Sequence, residues 1–179
     1  MNLSRNIISS HKDKKVEFFT GVPDSLLKNF CNELQKLSKK KHVISSNEGG
    51  AVSIAAGYYL ATIKIPLVYL QNSGLGNIIN PISSIIHKEI YGIPMILFIG
   101  WRGAKNIKDE IQHKVQGKIT LDQLRLLNIK YKVFNKRSYK NQLSELIEIA
   151  KKNNQPVALI FRKGDLENNK NKKTQNKKI

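Results

Sequence analysis

A single carboxylate, Glu48, lies in the segment SSNEGGAVSIAAGYYLA (residues 45–61), where a short apolar run gives way to small residues. A carboxylate at the start of a helix is stabilised by the positive end of the helix dipole, and that structural role alone would explain an acid here. The residues that follow are mostly glycine and alanine, which let another backbone or a ligand come close. A small-faced helix with one acid at its entrance therefore indicates an interface that contains Glu48.

Three further segments combine glycine with polar or charged residues. They are GVPDS (21–25), QNSGLGN (71–77) and the paired stretches GWRG and DEIQH (100–103 and 109–113). Taken singly, such residues are ordinary turn and capping residues. The glycines of QNSGLGN would let backbone N–H groups approach an anion, yet the loop matches neither the P-loop nor the GxGxxG phosphate pattern. A pocket around a flat heterocycle is the alternative interpretation of this loop.

The elements that must position these segments alternate between strand and helix. Apolar runs predict strands at 16–22, 42–46, 65–71, 93–101, 130–134 and 155–164. Helical periodicity predicts helices at 23–37, 49–62, 78–92, 120–128 and 139–153. This alternation predicts an α/β, three-layer fold with a mainly parallel six-stranded sheet and helices on both faces. Ligands bind beyond the carboxyl ends of strands in such sheets, so we expect the four segments to share one site.

The length of 179 residues suits one domain with a hydrophobic core. We predict that residues 1–164 fold and that 165–179 form a disordered Lys/Asn-rich tail, because few apolar residues remain there. No secretory-signal pattern and no apolar run of membrane-spanning length occur, which favours a cytoplasmic protein. The single cysteine, Cys31, lies on the apolar face of a predicted helix, where a buried structural role is expected.

The formal net charge of +18 would suit a protein that binds polyanions. Only five of the 31 basic residues are Arg, and the lysines are spread over the predicted helices and loops. Arginine forks and aromatic platforms, which read bases, are scarce. We therefore expect neither a specific nucleic-acid partner nor a membrane partner.

Five motifs occur together in the order NEGGAVSIAAGYYLAT, QNSGLGNIINP, IPMILFIGWRG, KDEIQH and QGKIT. This order resembles the pyrimidine-binding domain of thiamine diphosphate-dependent 2-oxo acid decarboxylases, most closely the phosphonopyruvate and sulfopyruvate decarboxylases. The likeness covers roughly Thr20 to Thr120. It implies the thiamine diphosphate-binding fold, with thiamine diphosphate as the cofactor.

The resemblance also implies roles for individual residues. Glu48 matches the family's glutamate that hydrogen-bonds ring nitrogen N1′ of the aminopyrimidine, which makes the cofactor's 4′-imino group an internal base. The other implied cofactor-binding residues are Asn72, Ser73, Gly74 and Gly76. The implied substrate-side residues are Asp24, Arg102, Gln112 and His113, and His113 is also implied to move a proton. Lys105 is a further candidate cation toward a phosphonate, and no residue is implied as a metal ligand.

The implied activity is that of a carboxy-lyase, which would convert phosphonopyruvate to phosphonoacetaldehyde and CO2, or in the alternative would act on sulfopyruvate. One departure from the family pattern is Ile111, which stands where the family commonly has proline in DEPQH. A second departure is larger, because the family needs a further domain that holds Mg²⁺ and the cofactor's diphosphate through a GDG-type motif. No segment of this sequence matches that motif.

We therefore expect the chain to be inactive without a diphosphate-binding partner domain. The chain would be the alpha subunit of a split enzyme or the N-terminal half of a longer one, with the active site between chains or domains of a homo- or hetero-oligomer. A non-catalytic binding or regulatory relative is the remaining alternative, and it would predict tolerance of change at Glu48.

Overall fold

The computed structural model describes residues 3–12 and 16–167, and its centre is a six-stranded sheet in the order β2-β1-β3-β4-β6-β5. Every neighbouring pair of strands is parallel. The strands are β1 Phe19–Gly21, β2 His42–Ile44, β3 Leu67–Gln71, β4 Ile96–Gly100, β5 Lys130–Val133 and β6 Val157–Phe161. The predicted six-stranded parallel sheet is therefore confirmed.

Six helices cover the two faces of the sheet. They are α1 Leu3–Lys12, α2 Lys28–Leu34, α3 Glu48–Thr62, α4 Leu75–Pro81, α5 Lys114–Leu126 and α6 Tyr139–Asn153. Short 3₁₀ turns precede α4 and α5, at Asn72–Gly74 and Ile111–His113, and a π-helical turn at Ile82–Ile86 continues α4. Helices α1, α2 and α6 pack on one face of the sheet, and α3, α4 and α5 pack on the other. The three-layer α/β architecture is confirmed.

Alternate residues of each central strand enter different cores. In β3, Leu67 and Tyr69 pack with α1, α2 and α6, whereas Val68 and Leu70 pack with α3, α4 and α5. Successive side chains of a strand point to opposite faces, so a strand covered on both faces must be apolar throughout. This requirement explains the nearly unbroken apolar runs of β3, β4 and β6.

Several predicted boundaries are wrong. Helix α1 was not predicted, although Leu3, Ile7 and Ile8 have helical spacing and are buried. Helix α2 begins at Lys28 rather than at 23, because the carboxylate of Asp24 accepts a hydrogen bond from the Leu26 amide and forms a turn there. The helix predicted at 78–92 begins earlier, and its π-helical turn ends at Ile86.

Helix α5 begins at Lys114, whereas the sequence predicted a start at 120. The predicted start was late because the apolar residues of the first turns, Val115 and Ile119, do not face the core and so do not follow its periodicity. The connection between β4 and α5 is therefore shorter than the predicted helix start at 120 implied.

The described fold extends past the predicted boundary at Gly164. Leu166 is buried, and its carbonyl oxygen accepts a hydrogen bond from the Asn29 side chain (3.0 Å). Residues 168–179 of the predicted tail lie outside the described residues. Within the described ranges, no helix has the length and apolar character needed to cross a bilayer.

Substituting Gly21 with alanine should destabilise the chain by about 1–3 kcal/mol, because overpacking forces neighbouring groups apart. A Cβ atom at Gly21 would lie 2.7 Å from Cγ of Tyr69 and against the Tyr69 carbonyl oxygen. The matched control is Gly57→Ala on α3, where a Cβ atom would meet no atom within 4 Å. This change should stabilise the chain by about 0.5–1 kcal/mol. Urea unfolding of the two variants measures both effects. Equal stability of the two variants would contradict the close packing of β1 on β3.

Candidate functional site

The four segments that the sequence singled out all lie at one edge of the sheet. Strands β2, β1, β3 and β4 are adjacent and parallel, so their carboxyl ends share that edge. The register places Gly21 beside Tyr69 and Gln71 beside Gly100. The loops that follow these strands are therefore neighbours in space, as the sequence predicted.

Glu48 is the first residue of α3. The side chain of the preceding residue, Asn47, accepts a hydrogen bond from the Gly50 amide (2.7 Å) and caps the helix. The half-buried Glu48 side chain reaches α4, where its Oε2 accepts a hydrogen bond from Nδ2 of Asn77 (2.7 Å). Among the described residues, no group donates to Oε1 of Glu48. The helix dipole and Asn77 thus hold a carboxylate with one oxygen available.

The Glu48 carboxylate lies against the backbone of Gly74. A Cβ atom at Gly74 would collide with Cγ, Cδ and Oε1 of Glu48, so only glycine leaves room for this carboxylate position. Gly76, two residues further along the chain, is exposed, and a Cβ there would meet nothing within 4 Å. The QNSGLGN loop therefore contributes one glycine that seats Glu48 and one that faces open space.

Asn72 is fully buried, and its side-chain amide bonds only to protein groups. Its Nδ2 donates to the Arg102 carbonyl oxygen (2.9 Å) and to Oγ1 of Thr120 (2.8 Å), and its Oδ1 accepts from the Arg102 amide (3.1 Å). Asn72 thus joins the ends of β3 and β4 to α5. The neighbouring Ser73 is exposed, and its hydroxyl oxygen accepts from Gln71 (2.7 Å).

Arg102 forms an ion pair with Asp109, a residue to which the sequence assigned no role. Its Nε donates to Oδ2 of Asp109 (2.8 Å) and its Nη2 donates to Oδ1 (2.5 Å), while Nη1 donates to Oγ of Ser25 (2.9 Å). The backbone amides of Gly103 and Glu110 also donate to Asp109. These donors, Arg102 foremost, hold the pKa of Asp109 well below its usual range. The guanidinium expected on the substrate side is thus engaged in an ion pair within the chain.

Asp24 lies beneath the site edge and is only 6% exposed. Its Oδ2 accepts from the Leu26 amide (3.0 Å), and its Oδ1 has no hydrogen-bond partner within the described residues. Burial raises the pKa of Asp24, although backbone hydrogen bonds and the charge of Arg102 oppose that rise. In this chain the Asp24 carboxyl does not reach an open surface.

Gln112 and His113 belong to the 3₁₀ turn that enters α5. Gln112 is exposed and His113 is half-buried, and no hydrogen bond within the described residues engages either side chain. The His113 backbone packs against Gly103, which has a positive φ of 69°, so this crossing requires glycine. Ile111, at the position where the sequence departs from the family's proline, is 84% exposed.

The contacts form two groups along the edge. Glu48 joins Gly74 and Asn77, whereas Asn72, Arg102 and Asp109 join β3, β4 and α5. Asn77 and Asp109 lie in two of the motifs, but the sequence assigned them no role. Asn77 meets Glu48 only through packing of α3 on α4, whereas Asp109 and Arg102 belong to the same loop. No three His, Cys, Asp or Glu residues cluster as metal ligands in the part of the chain that the structure describes.

Comparison with known proteins assigns the chain to a family. The family described as "Thiamine pyrophosphate enzyme, N-terminal TPP binding domain" matches residues 1–126. The chain belongs to this family. Thiamine pyrophosphate (TPP) is the same cofactor as thiamine diphosphate, so the family named by the sequence motifs is confirmed.

Three relatives show how this TPP-binding domain occurs elsewhere. Phosphonopyruvate decarboxylase of Streptomyces viridochromogenes is 36% identical over 62% of this chain and 27% of the relative. Sulfopyruvate decarboxylase subunit alpha of Methanococcus maripaludis is 33% identical over 73% of this chain and 76% of the relative. The corresponding subunit of Methanothermobacter thermautotrophicus is 27% identical over 88% of this chain and 94% of the relative. The chain thus spans about a quarter of the first relative and most of the other two.

Replacing Asp109 with asparagine should destabilise this TPP-binding domain by about 2 kcal/mol at neutral pH, because hydrogen bonds to a charged group are lost. The folded-state pKa of Asp109 is lowered, so its stabilisation is complete above the unfolded pKa of about 3.9 and is lost as pH falls further. The difference in the free energy of unfolding between wild type and Asp109→Asn should therefore become smaller as the pH is lowered. Urea unfolding across a pH series measures this difference.

A matched control for Asp109 is Asp122→Asn. Asp122 also pairs with an arginine, Arg125, but both side chains are mostly exposed, so the change should cost less than about 1 kcal/mol. Similar losses at the two positions would show that the Arg102–Asp109 pair does not organise the loop.

Proposed function

We propose that this chain is the pyrimidine-binding part of a TPP-dependent 2-oxo acid decarboxylase and that Glu48 is its central catalytic residue. The observation that carries the proposal is the carboxylate at the entrance of α3, seated against Gly74 with Asn77 on one oxygen. The other oxygen is not hydrogen-bonded within the described residues. A carboxylate held in this way fits the protonated ring nitrogen of an aminopyrimidine.

When bound, TPP would supply a nucleophilic carbon and an electron sink for the decarboxylation of a 2-oxo acid. Glu48 holds the proton at ring nitrogen N1′, and this is the step that a neutral amide would perform poorly. Asn77 fixes the Glu48 rotamer through its hydrogen bond. Gly74 provides the space for the carboxylate, and exposed Gly76 lets a flat ring approach.

The remaining residues of the QNSGLGN loop have different proposed roles. The Asn72 side-chain amide donates its hydrogen bonds to Arg102 and Thr120. Asn72 therefore fixes the loop backbone and does not contact the cofactor with its side chain. Ser73 is exposed beside it and is available at the cofactor side.

On the substrate side we propose direct roles for Gln112 and His113. Both side chains lack partners within the described residues, so they can donate to a carboxylate or a phosphonate, and His113 can move a proton. Arg102 acts mainly as a positioning residue, because Asp109 and Ser25 engage its guanidinium. Asp24 reaches substrate only if the assembled enzyme opens the site, since it is buried here. Lys105 is an exposed cation near the same loop.

The diphosphate and Mg²⁺ are proposed to be bound by a partner that carries the diphosphate-binding domain. Two of the relatives are named subunit alpha, which supports a partner on a separate polypeptide. The structure qualifies one expectation about the interface. Ala51 and Ala55 of α3 are buried against this chain's own sheet, so much of the small-residue face is not free for a partner.

The proposed substrate is phosphonopyruvate, and sulfopyruvate is the second candidate. Each is a 2-oxo acid with a compact tetrahedral anion, and relatives with either name match this chain. Steady-state comparison of phosphonopyruvate, sulfopyruvate and pyruvate on the assembled enzyme ranks the three. A preference for pyruvate would contradict the proposed substrate class.

The variant Glu48→Gln should retain assembly with the diphosphate-binding partner and lose decarboxylase activity by about 10²–10⁴-fold, the range for loss of acid–base assistance. The amide of glutamine keeps the size of the side chain, but it has no negative charge with which to stabilise the proton on ring nitrogen N1′. The measurement is kcat with saturating TPP and Mg²⁺, together with the molecular mass of the complex.

The matched control is Glu148→Gln on α6, an exposed glutamate on the opposite helical layer. It should leave kcat unchanged. If Glu48→Gln turns over as fast as this control, the catalytic role of Glu48 is wrong and the non-catalytic, regulatory alternative gains support.

A further inference from the structure

The two helical layers differ in their exposed apolar residues. No large hydrophobic side chain is exposed on the described parts of α1, α2 and α6. The opposite layer exposes many, and they lie on α3, α4, α5 and the adjoining turns: Ile54, Leu60, Ile79, Ile85, Ile111, Val115, Ile119 and Leu126. Scattered exposed apolar residues are ordinary, but among the described helices they lie on one layer only, which indicates an interaction surface.

Four of these residues lie along the outward side of α5 and the turn before it, and we call them the α5 seam: Ile111, Val115, Ile119 and Leu126. The exposed Asp122 lies on the same side of α5, between Ile119 and Leu126. The exposures of the four seam residues are 84%, 69%, 40% and 80%. At 100° per residue, the last three fall within about 40° around α5, and they extend about 17 Å along it. The core side of the same helix is formed by different residues, Gly117, Thr120 and Leu124. Helix α5 therefore has a second apolar stripe that faces outward.

Basic residues border the α5 seam on one side. Lys114 and Lys118 lie between the seam and a cavity of about 740 Å³, which is bounded by α5 and the loop before it. Lys105 and Lys108 line the same cavity. No ion pair engages these four lysines within the described residues.

The nearby acids are mostly occupied. Asp109 pairs with Arg102, and Asp122, which lies beside the seam, pairs with Arg125. Of the acids near the seam and the cavity, this leaves Glu110 without an ion pair among the described residues. The flank of the seam is therefore net positive, and a partner with acidic residues would complement it.

We propose that the α5 seam is the docking site for an amphipathic helix of the polypeptide that carries the diphosphate-binding domain. That helix would place an apolar stripe on the seam and acidic residues opposite Lys114 and Lys118. The inference rests on the proposed function, because it names a surface for the partner which that function requires. The outward apolar residues of α5, Val115, Ile119 and Leu126, are at i, i+4 and i+11, so they lie on one side of the helix and can meet the apolar stripe of a partner helix.

Two other occupants fit the observations less well. A second copy of this chain would place Lys114 and Lys118 near the same lysines, and the formal net charge of +18 adds to that repulsion. A nucleic acid would satisfy the lysines but would leave Val115 and Ile119 exposed. Only a partner protein accounts for both the apolar stripe and its basic border.

The location links docking to the site. The seam begins at Ile111, and Gln112 and His113 follow directly in the turn that enters α5. A helix seated on the seam would hold that turn in place. Partner binding would therefore position the residues to which we assign substrate contacts.

The test uses the full chain assembled with the diphosphate-binding polypeptide of the same organism. The double variant Val115→Ser/Ile119→Ser removes two of the four apolar side chains of the seam. The double variant Lys114→Glu/Lys118→Glu reverses the charge of the basic border. Each pair should weaken the partner's Kd by about tenfold or more, as expected for a central contact. The lysine pair should also slow association and reduce its salt dependence. The matched control Lys140→Glu/Lys151→Glu on α6 should change the Kd by less than about threefold.

All six side chains are exposed or nearly so, and unchanged urea unfolding of each variant shows that folding is intact. Wild-type Kd in both seam variants would overturn the docking inference while leaving the decarboxylase proposal intact, provided the wild-type complex is active. Failure of the wild-type chain to bind the diphosphate-binding polypeptide would overturn both.

Two further measurements identify the other occupants. Sedimentation shows whether wild type forms a dimer that Val115→Ser/Ile119→Ser dissociates, and this result with an unchanged partner Kd would assign the seam to a second copy. Binding of duplex DNA that depends on the lysines but not on Val115 and Ile119, again with an unchanged partner Kd, would assign the flank to nucleic acid. Either result overturns the inference.

Discussion

The buried side-chain amide of Asn72 is the contact on which the geometry of the site edge depends. A buried amide must find hydrogen-bond partners or incur a large desolvation cost. Asn72 finds them in the backbone of Arg102, in both directions, and in Thr120 of α5. Because the Arg102 backbone is fixed in this way, its guanidinium is directed to Asp109 and Ser25. One amide thereby ties three strand-end loops to a helix.

The carboxylate at Glu48 is positioned by a separate set of contacts. Helix α3 supplies its N-terminal dipole, α4 supplies the Asn77 amide, and Gly74 supplies the space. The two sets meet in one short loop, since Asn72 and Gly74 are two residues apart. The loop can therefore hold the Glu48 carboxylate in register with the loops that follow β1 and β4. Under the proposed function, such preorganisation would lower the cost of orienting the reaction.

The family relationship and the surface of the chain are both consistent with the proposed partner that carries the diphosphate-binding domain. The TPP-binding domain is matched in a long phosphonopyruvate decarboxylase and in sulfopyruvate decarboxylase alpha subunits of similar extent. The described surface exposes large apolar side chains on one helical layer and none on the other. Under the proposed function, a cofactor held at a boundary between two domains would account for the asymmetric surface. The lysines beside α5 would then favour a partner with acidic residues.

The sequence by itself determined the family, the alternation of strands and helices and the parallel sheet, because those depend on local patterns and ordered motifs. It also placed Glu48 at a helix entrance, since an acid followed by glycines after a strand is a local signal. The tertiary structure decided which residues are free to act. Asn72 and Arg102 were expected to contact ligands, yet residues distant in sequence, Thr120 and Ser25, engage their side chains. The role of Asn77 and the outward stripe of α5 likewise depend on which strands and helices become neighbours, and hydrophobic periodicity along one segment carries no record of that.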